Sequence, residues 1–297
     1  MKTKVLFIVG ILFILSSCIK EDLDPCPLSK VKVNVYAEKF QNPSENAMDN
    51  VEGNIKDRIG HLRYYLYQGG KMKKKGIISD WSTVNGAFYT LTWEGLDLGD
   101  YQLVLVCNST KNALSGDENF ADNLLLTYPG CDLTEDYFAT VFSFRVDCDC
   151  ELEFNTALSR VQSVVRYTFK NVPSDLTDIE VEMSRLTARK YITGDYEGEG
   201  NAIKKYTIIP ARAESVPGFV IGTFPTLTDT RALLNMKFYR NHEVGPYYEK
   251  LVTDTLRVKR NQLLDIVTTF SDGKIDFEIR LDGSWDGFTP GGDTEIE

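Results

Sequence analysis

Six cysteines carry most of the reactive chemistry in this 297-residue chain: Cys18, Cys26, Cys107, Cys131, Cys148 and Cys150. A thiolate can be alkylated, can join a disulfide or can hold a metal. The Cys148-Asp149-Cys150 spacing lacks a nearby histidine and a second cysteine pair at zinc-finger spacing, so disulfide partnership is the better reading there. The two histidines, His61 and His242, stand at the start of a strand pattern and in the turn Arg240-Asn241-His242-Glu243. Each reads as a structural or surface residue. No G-x-S-x-G, H-E-x-x-H or P-loop is present, and catalysis needs a base, a nucleophile or a metal held together. Gly194-Asp195-Tyr196-Glu197-Gly198-Glu199-Gly200 is glycine-rich but lacks the strand-to-helix setting of a phosphate cradle, and reads as a flexible loop. Neither an enzyme nor a cofactor is expected.

Two further groups could bind a ligand. Asp282, Ser284 and Asp286 fall at positions 1, 3 and 5 of a calcium-loop spacing, with Gly287 at 6 and Asp293 at 12. Asp293 is shorter than the usual glutamate, Pro290 interrupts, and no helical pattern flanks the loop. A polar turn without metal is the preferred reading. Trp81, Trp93, Tyr247 and Tyr248 could stack on sugars, although Trp93 shares a strand face with Tyr89 and Leu91 and so belongs in a core.

The amino end dictates where this chemistry takes place. Lys2 and Lys4 precede an apolar run from Val5 to Leu15, which is too short to span a bilayer and reads as a secretory signal covering residues 1–17. Its last residues, Leu15-Ser16-Ser17-Cys18, resemble the lipobox of bacterial lipoproteins. The resemblance implies a Cys18 thiol alkylated by diacylglycerol, cleavage before it, and acylation of the new amino terminus. Several acyl chains together anchor stably where one holds only marginally. Lys20, Glu21 and Asp22 directly behind the cysteine resemble the export signal that sends lipoproteins of Bacteroidetes-type bacteria to the outside of the outer membrane. In an oxidising envelope the other five cysteines are disulfide candidates, and an odd count leaves one thiol over. The preferred pairs are Cys107 with Cys131, and Cys26 with Cys148 or Cys150; spacing alone leaves the connectivity open.

A formal charge of −10 speaks against nucleic acid as a partner, because that needs a basic stripe. The 15 tyrosines and 16 phenylalanines favour strands. Alternation marks strands at Val31–Val35, His61–Tyr67, Ala87–Trp93, Tyr101–Cys107 and Phe138–Val146, then at Val164–Lys170, Ile179–Met183, Tyr206–Ile209, Phe219–Phe224, Leu233–Tyr239, Leu251–Val258, Leu263–Phe270 and Lys274–Leu281. A loop with one helical turn is expected over 42–60, and a short helix around 120–126. Such regular short strands argue for sandwiches, and the length suits two domains. The halves share a strand rhythm but no repeat of residues.

Two stretches resemble FimB-type fimbrial anchor subunits: Cys18-Ile19-Lys20-Glu21-Asp22-Leu23-Asp24-Pro25-Cys26-Pro27, and the block Leu158 to Pro173 with its Leu-x-Arg, strand and Asn-x-Pro turn. The resemblance implies an all-β chain of two tandem transthyretin-like sandwiches: a lipidated tether at 18–27, a first domain at 28–150 and a second at 151–297. It further implies an outer-membrane anchor at the base of a type V fimbrium. Shaft subunits would be its partners, joined by β-strand addition, and fimbrial length would be limited. An anchor keeps its amino terminus, so its own groove should stay filled. The carboxyl segment Phe288–Glu297 is a poor donor strand, with Ile296 its only clear β-branched apolar residue. The competing reading is a surface lipoprotein adhesin for a glycan or host protein. An adhesin for glycans should show a row of exposed aromatics, and an anchor an open sheet edge.

Overall fold

The computed structural model describes residues 29–39, 53–82, 84–109, 113–128, 136–147, 150–208, 218–227, 229–271 and 274–281. Cys18, Lys20, Glu21, Asp22, Cys26, Cys131, Cys148, Asp282, Ser284, Asp286, Asp293 and the segment 288–297 lie outside these.

Among the described residues the elements are strands, apart from single 3-10 turns at Ile55–Asp57 and Ala121–Asn123. The first sandwich begins with β1 (Lys30–Ala37), whose valines alternate toward the core. Val31, Val33, Val35 and Ala37 are fully buried. It continues with β2 (Leu62–Gln68), β3 (Lys71–Ile78), β4 (Phe88–Glu94) and β5 (Gly99–Cys107). The short strands β6 (Leu114–Ser115) and β7 (Leu125–Thr127) follow, then β8 (Phe138–Val146) and β9 (Glu151–Arg160). One sheet runs β3-β2-β5-β8 and the other β9-β1-β4. β1 lies between β4, antiparallel, and β9, parallel. β8 and β9 touch only at Phe138↔Arg160 and Ala139↔Ser159, so the two sheets part along the rest of these strands.

The second sandwich comprises β10 (Ser163–Lys170), β11 (Leu176–Leu186), β12 (Arg189–Tyr191), β13 (Tyr196–Glu197), β14 (Gly200–Thr207), β15 (Gly218–Thr223), β16 (Ala232–Arg240), β17 (Tyr248–Leu256), β18 (Leu263–Ser271) and β19 (Lys274–Leu281). Its sheets run β14-β11-β16-β17 and β15-β10-β18-β19. The order repeats that of the first domain, with β10 between antiparallel β15 and parallel β18. A repeat invisible in the residues is thus present in the topology. Among the described residues β19 has no counterpart in the first.

Three expectations change. β9 was read as lying in the second domain, but it pairs along its length with β1; we place the boundary at Val161–Gln162. The stretch from Lys71 to Ile78, unassigned from sequence, is an edge strand of the first domain. The glycine-rich run around Gly194–Gly200 carries β13 and the start of β14, and β13 belongs to a small shared sheet ordered β13-β12-β7-β6.

Candidate functional site

The junction between the domains is built from charge as well as apolar area. Arg160 closes β9 and is fully buried. Its Nε donates to both oxygens of Asp136 at 2.8 Å, and its Nη1 donates to Asn261 Oδ1 at 2.7 Å. The backbone N–H of Arg160 donates to Glu38 Oε2 at 2.9 Å. Arg260 of the second domain donates to the same Glu38 oxygen at 2.7 Å, and Asn261 Nδ2 to the Lys39 carbonyl at 3.0 Å. Burial pushes the Asp136 carboxyl up, and the Arg160 guanidinium opposes that shift. An ion pair this deep stabilises little relative to an apolar pair, but losing one partner leaves an uncompensated buried charge.

Apolar residues wrap this network: Tyr65, Tyr67, Val104 and Val106 from the first sheet, Leu124 and Leu126 from the long β5–β8 connection, and Val161, Ile192 and Phe224 from the linker and second domain. Tyr196 meets Phe224 edge-on at 5.7 Å and donates its hydroxyl to the Val161 carbonyl at 2.7 Å. Burial pushes this phenol up, and lowers the Lys190 ammonium that sits over the Tyr196 ring. The strand pairing of β7 with β12 adds backbone bonds across the same boundary. The two domains are therefore joined by a continuous apolar and ionic contact.

The second feature is a difference at the mouth of each sandwich. In the second domain β19 pairs along β18 from Leu264↔Leu281 to Ser271↔Lys274. Its Ile275, Phe277 and Ile279 pack on the core. In the first domain no described strand occupies the matching edge of β9 beyond the two pairs at its end. Phe142, Leu152 and Phe154 of the core are only partly buried there. Phe154 meets Phe142 at 5.8 Å and Phe144 at 5.3 Å across the gap.

The residues singled out from sequence fare differently. Cys107 is a free, fully buried thiol at the inward end of β5, and burial pushes its pKa well up. The expected Cys107–Cys131 disulfide is not formed, because the side chain faces the packed core. Cys150 lies beside the start of β1, where the Lys30 N–H donates to its carbonyl at 3.0 Å. His61 Nε2 contacts the Ser109 carbonyl at 2.9 Å, while exposed His242 pairs through Nδ1 with Asp178 Oδ2 at 3.0 Å. Thr207 also donates to Asp178, whose carboxyl lies below the usual range; burial would raise it, but hydrogen bonds from Thr207, His242 and Thr177 outweigh that.

Trp81 and Trp93 are core residues, so as glycan platforms they are withdrawn. Trp81 Nε1 donates to the Gly60 carbonyl at 2.9 Å. Tyr247 lies under the Arg240 guanidinium at 4.0 Å. The exposed large aromatics among the described residues, Phe88 and Phe120, stand on separate elements and form no row. The described residues contain no cluster of three or more metal-binding side chains. An open cleft of about 480 Å³ lies over β5 and β8, lined by Tyr67, Tyr101, Gln102 and Phe144 with the exposed pair Asp100 and Arg145. Of the junction residues, Glu38, Asp136, Arg260 and Asn261 escaped the sequence reading, and Arg160 entered it only as the arginine of the Leu-x-Arg motif.

Solved structures with this arrangement include proteins of Porphyromonas gingivalis and Bacteroides thetaiotaomicron. The fimbrial anchor protein Mfa2 from Porphyromonas gingivalis aligns with a TM-score of 0.56 and 11% identity, over 86% of this chain and 98% of that one. The tip fimbrial protein Mfa3 of the same organism, solved with a C-terminal truncation, aligns at 0.53 and 10% identity, over 86% and 99%. A Bacteroides thetaiotaomicron protein proposed to bind polysaccharide aligns at 0.61 and 13%, over 86% and 96%. No protein-family model and no curated relative matches the sequence. At these identities the likeness is one of fold, and the chain shares its fold with proteins that include a fimbrial anchor and a fimbrial tip protein.

Proposed function

We propose that this protein is an outer-membrane lipoprotein that anchors a fimbrium to the cell surface and limits its length by β-strand contact with shaft subunits. Acyl chains on Cys18 hold it in the membrane, and Lys20, Glu21 and Asp22 direct it outward. The observation that carries this reading is the placement of β1. It follows the tether directly, it is the central strand of its sheet, and it pairs with β9 over eight residues and with β4 over seven. A pull on the tether acts along the strand and strains those hydrogen bonds together rather than one at a time. Just beyond β1, Glu38 is bonded to Arg260 of the second domain, so tension passes on to the domain that would meet the shaft.

A disulfide from Cys26 to Cys150 would fasten the tether to β9. Its support is that Cys150 is disulfide-bonded and that its carbonyl accepts from Lys30, four residues after Cys26. Chain closure over this span would contribute about 2–4 kcal/mol.

The adhesin reading draws on the open cleft over β5 and β8, where Gln102 and Arg145 could meet a sugar. Affinity purification from outer membranes separates the two. Shaft subunits recovered in stoichiometric amount support the anchor. Their absence, with retention on a glycan array that Arg145→Ala abolishes, supports the adhesin.

A further inference from the structure

We propose that a cavity at a bulge of β11, in the second domain, binds an acidic sugar unit through its carboxylate. The site is separate from the anchor and from the cleft over β5 and β8. Backbone strain leads to it. Among the described residues six other than glycine have a positive φ, and four of them are Asn108, Asn171, Asn241 and Asn261. Asparagine and histidine tolerate that region, which accounts for His242 as well. Arg185, at φ 61°, is the sixth, and a long side chain ordinarily avoids that region. It stands where Met183 pairs with Ala202 and Leu186 with Gly200, so two residues of β11 oppose one of β14. The extra residue brings Leu186 into the core beside Met183 and leaves Arg185 exposed. Glycine or asparagine would make the same bulge with less strain. An arginine held there points to a use for its side chain.

Arg185 lines a cavity of about 260 Å³ with Arg231, Thr230, Glu199 and Asp229, and Leu186 and Leu227 form its apolar part. Its walls are braced by hydrogen bonds. Leu186 bridges to Thr226, and Thr187 donates its N–H and its hydroxyl to the Pro225 carbonyl at 2.9 and 2.7 Å. The Thr230 N–H donates to the Leu227 carbonyl at 3.0 Å. Among the described residues neither Arg185 nor Arg231 has an ion-pair partner, although Glu199 and Asp229 share the cavity. A guanidinium binds a carboxylate through two parallel N–H bonds. The two acids repel a bare anion such as phosphate but accept hydrogen bonds from hydroxyls. A ligand that carries a carboxylate and hydroxyls together satisfies all four side chains. The volume is small for a ligand pocket and suits one sugar unit. The class this chemistry selects is a uronic acid.

The test titrates the full purified chain with glucuronate, glucose, acetate and inorganic phosphate, followed by the amide resonances of the protein. Glucuronate should shift the amides of Leu186, Thr230 and Arg231 and bind about tenfold more tightly than glucose, acetate or phosphate. Arg185→Gly should weaken glucuronate binding about tenfold and melt no lower than wild type, because glycine accepts the positive φ without strain. Arg185→Lys keeps the charge without the fork and should bind between the two. Absence of saturable binding, or shifts confined to other residues, would overturn the proposal. Equal binding of acetate would make this a site for any carboxylate, a peptide terminus included, and overturn the assignment to a sugar. Equal binding of phosphate or of glucose would overturn it too. Full affinity in Arg185→Gly would remove Arg185 from the site. A lower melting temperature in that variant would show that packing, not a ligand, explains the strained arginine, and would also overturn the proposal. None of these outcomes bears on recovery of shaft subunits, which tests the anchor separately.

Discussion

The first and second domains are the same sandwich finished in two ways. The second is closed by its own β19, which brings Ile275, Phe277 and Ile279 over the core. Among the described residues the first has no strand along β9 where β8 and β9 part, and the rings of Phe142, Phe144 and Phe154 meet there. The first domain also carries a long β5–β8 connection that folds back over its outer face. There Tyr65 and Tyr67 donate their hydroxyls to Glu118. The lesson is that a shared topology fixes where strands can be added, while single strands and loops decide which positions are occupied. The edge of β18 is covered, and that of β9 has no partner strand along most of its length among the described residues.

The junction between them gives the largest expected effect. Arg160→Ala should destabilise the protein by about 3–5 kcal/mol, because Asp136 would be left buried without its partner. The double replacement Arg160→Met with Asp136→Leu should recover most of that loss. Urea unfolding checks both. If the domains unfold in one transition in wild type and in two in Arg160→Ala, the junction is what makes them act together.

The contrast between the mouths is sharpened by a matched pair. Phe277→Ala removes a ring from the closing strand and should cost about 2–3 kcal/mol. Phe154→Ala removes an equally part-buried ring and should cost less, about 1 kcal/mol, because Phe277 also helps seat a strand on β18 whereas Phe154 seats none on β9 among the described residues. Equal losses in equilibrium unfolding would break the contrast.

Much of this fold was legible in the sequence. β1, β8, β11, β18 and β19 each alternate apolar and polar residues, and the structure places them where the alternation does. β3 was missed because Lys71-Met72-Lys73-Lys74-Lys75 has no period of two. It is an edge strand whose lysines face water, a composition that discourages pairing with other chains. The repeat was missed because it resides in strand order rather than residue identity. The junction was hidden for a different reason. Glu38 and Arg260 lie 222 residues apart, and a buried charge pair is recognisable only once the fold has brought its halves together. Cys107 was misread because an oxidising address does not say which cysteines point into a core.

The smallest effect concerns pH and the first domain's own connection. Lys75 on β3 donates to Glu118 Oε2 at 2.7 Å, and this bond, with that from Tyr65, holds the Glu118 carboxyl below its ordinary value of 4.5. A depressed folded pKa contributes stability that is present above about pH 4.5 and lost as pH falls through the folded value. Both partners are substantially exposed, so the contribution is about 0.2–1 kcal/mol. Wild type should exceed Glu118→Gln in unfolding free energy at neutral pH, and the two curves should converge in acid. A constant gap down to pH 3 would show that this ion pair is not what ties the connection down.

The proposal of anchorage is tested most directly in a deletion strain, with shaft protein quantified in cell and medium fractions. On that proposal shaft assembly would need no anchor, whereas retention would need the acyl chains on Cys18. Loss of this protein should therefore leave shaft subunits made but shed into the medium as long fimbriae. Wild-type protein should restore retention and the Cys18→Ala form should not. Shaft protein that stays fully cell-associated without this chain would contradict the anchor.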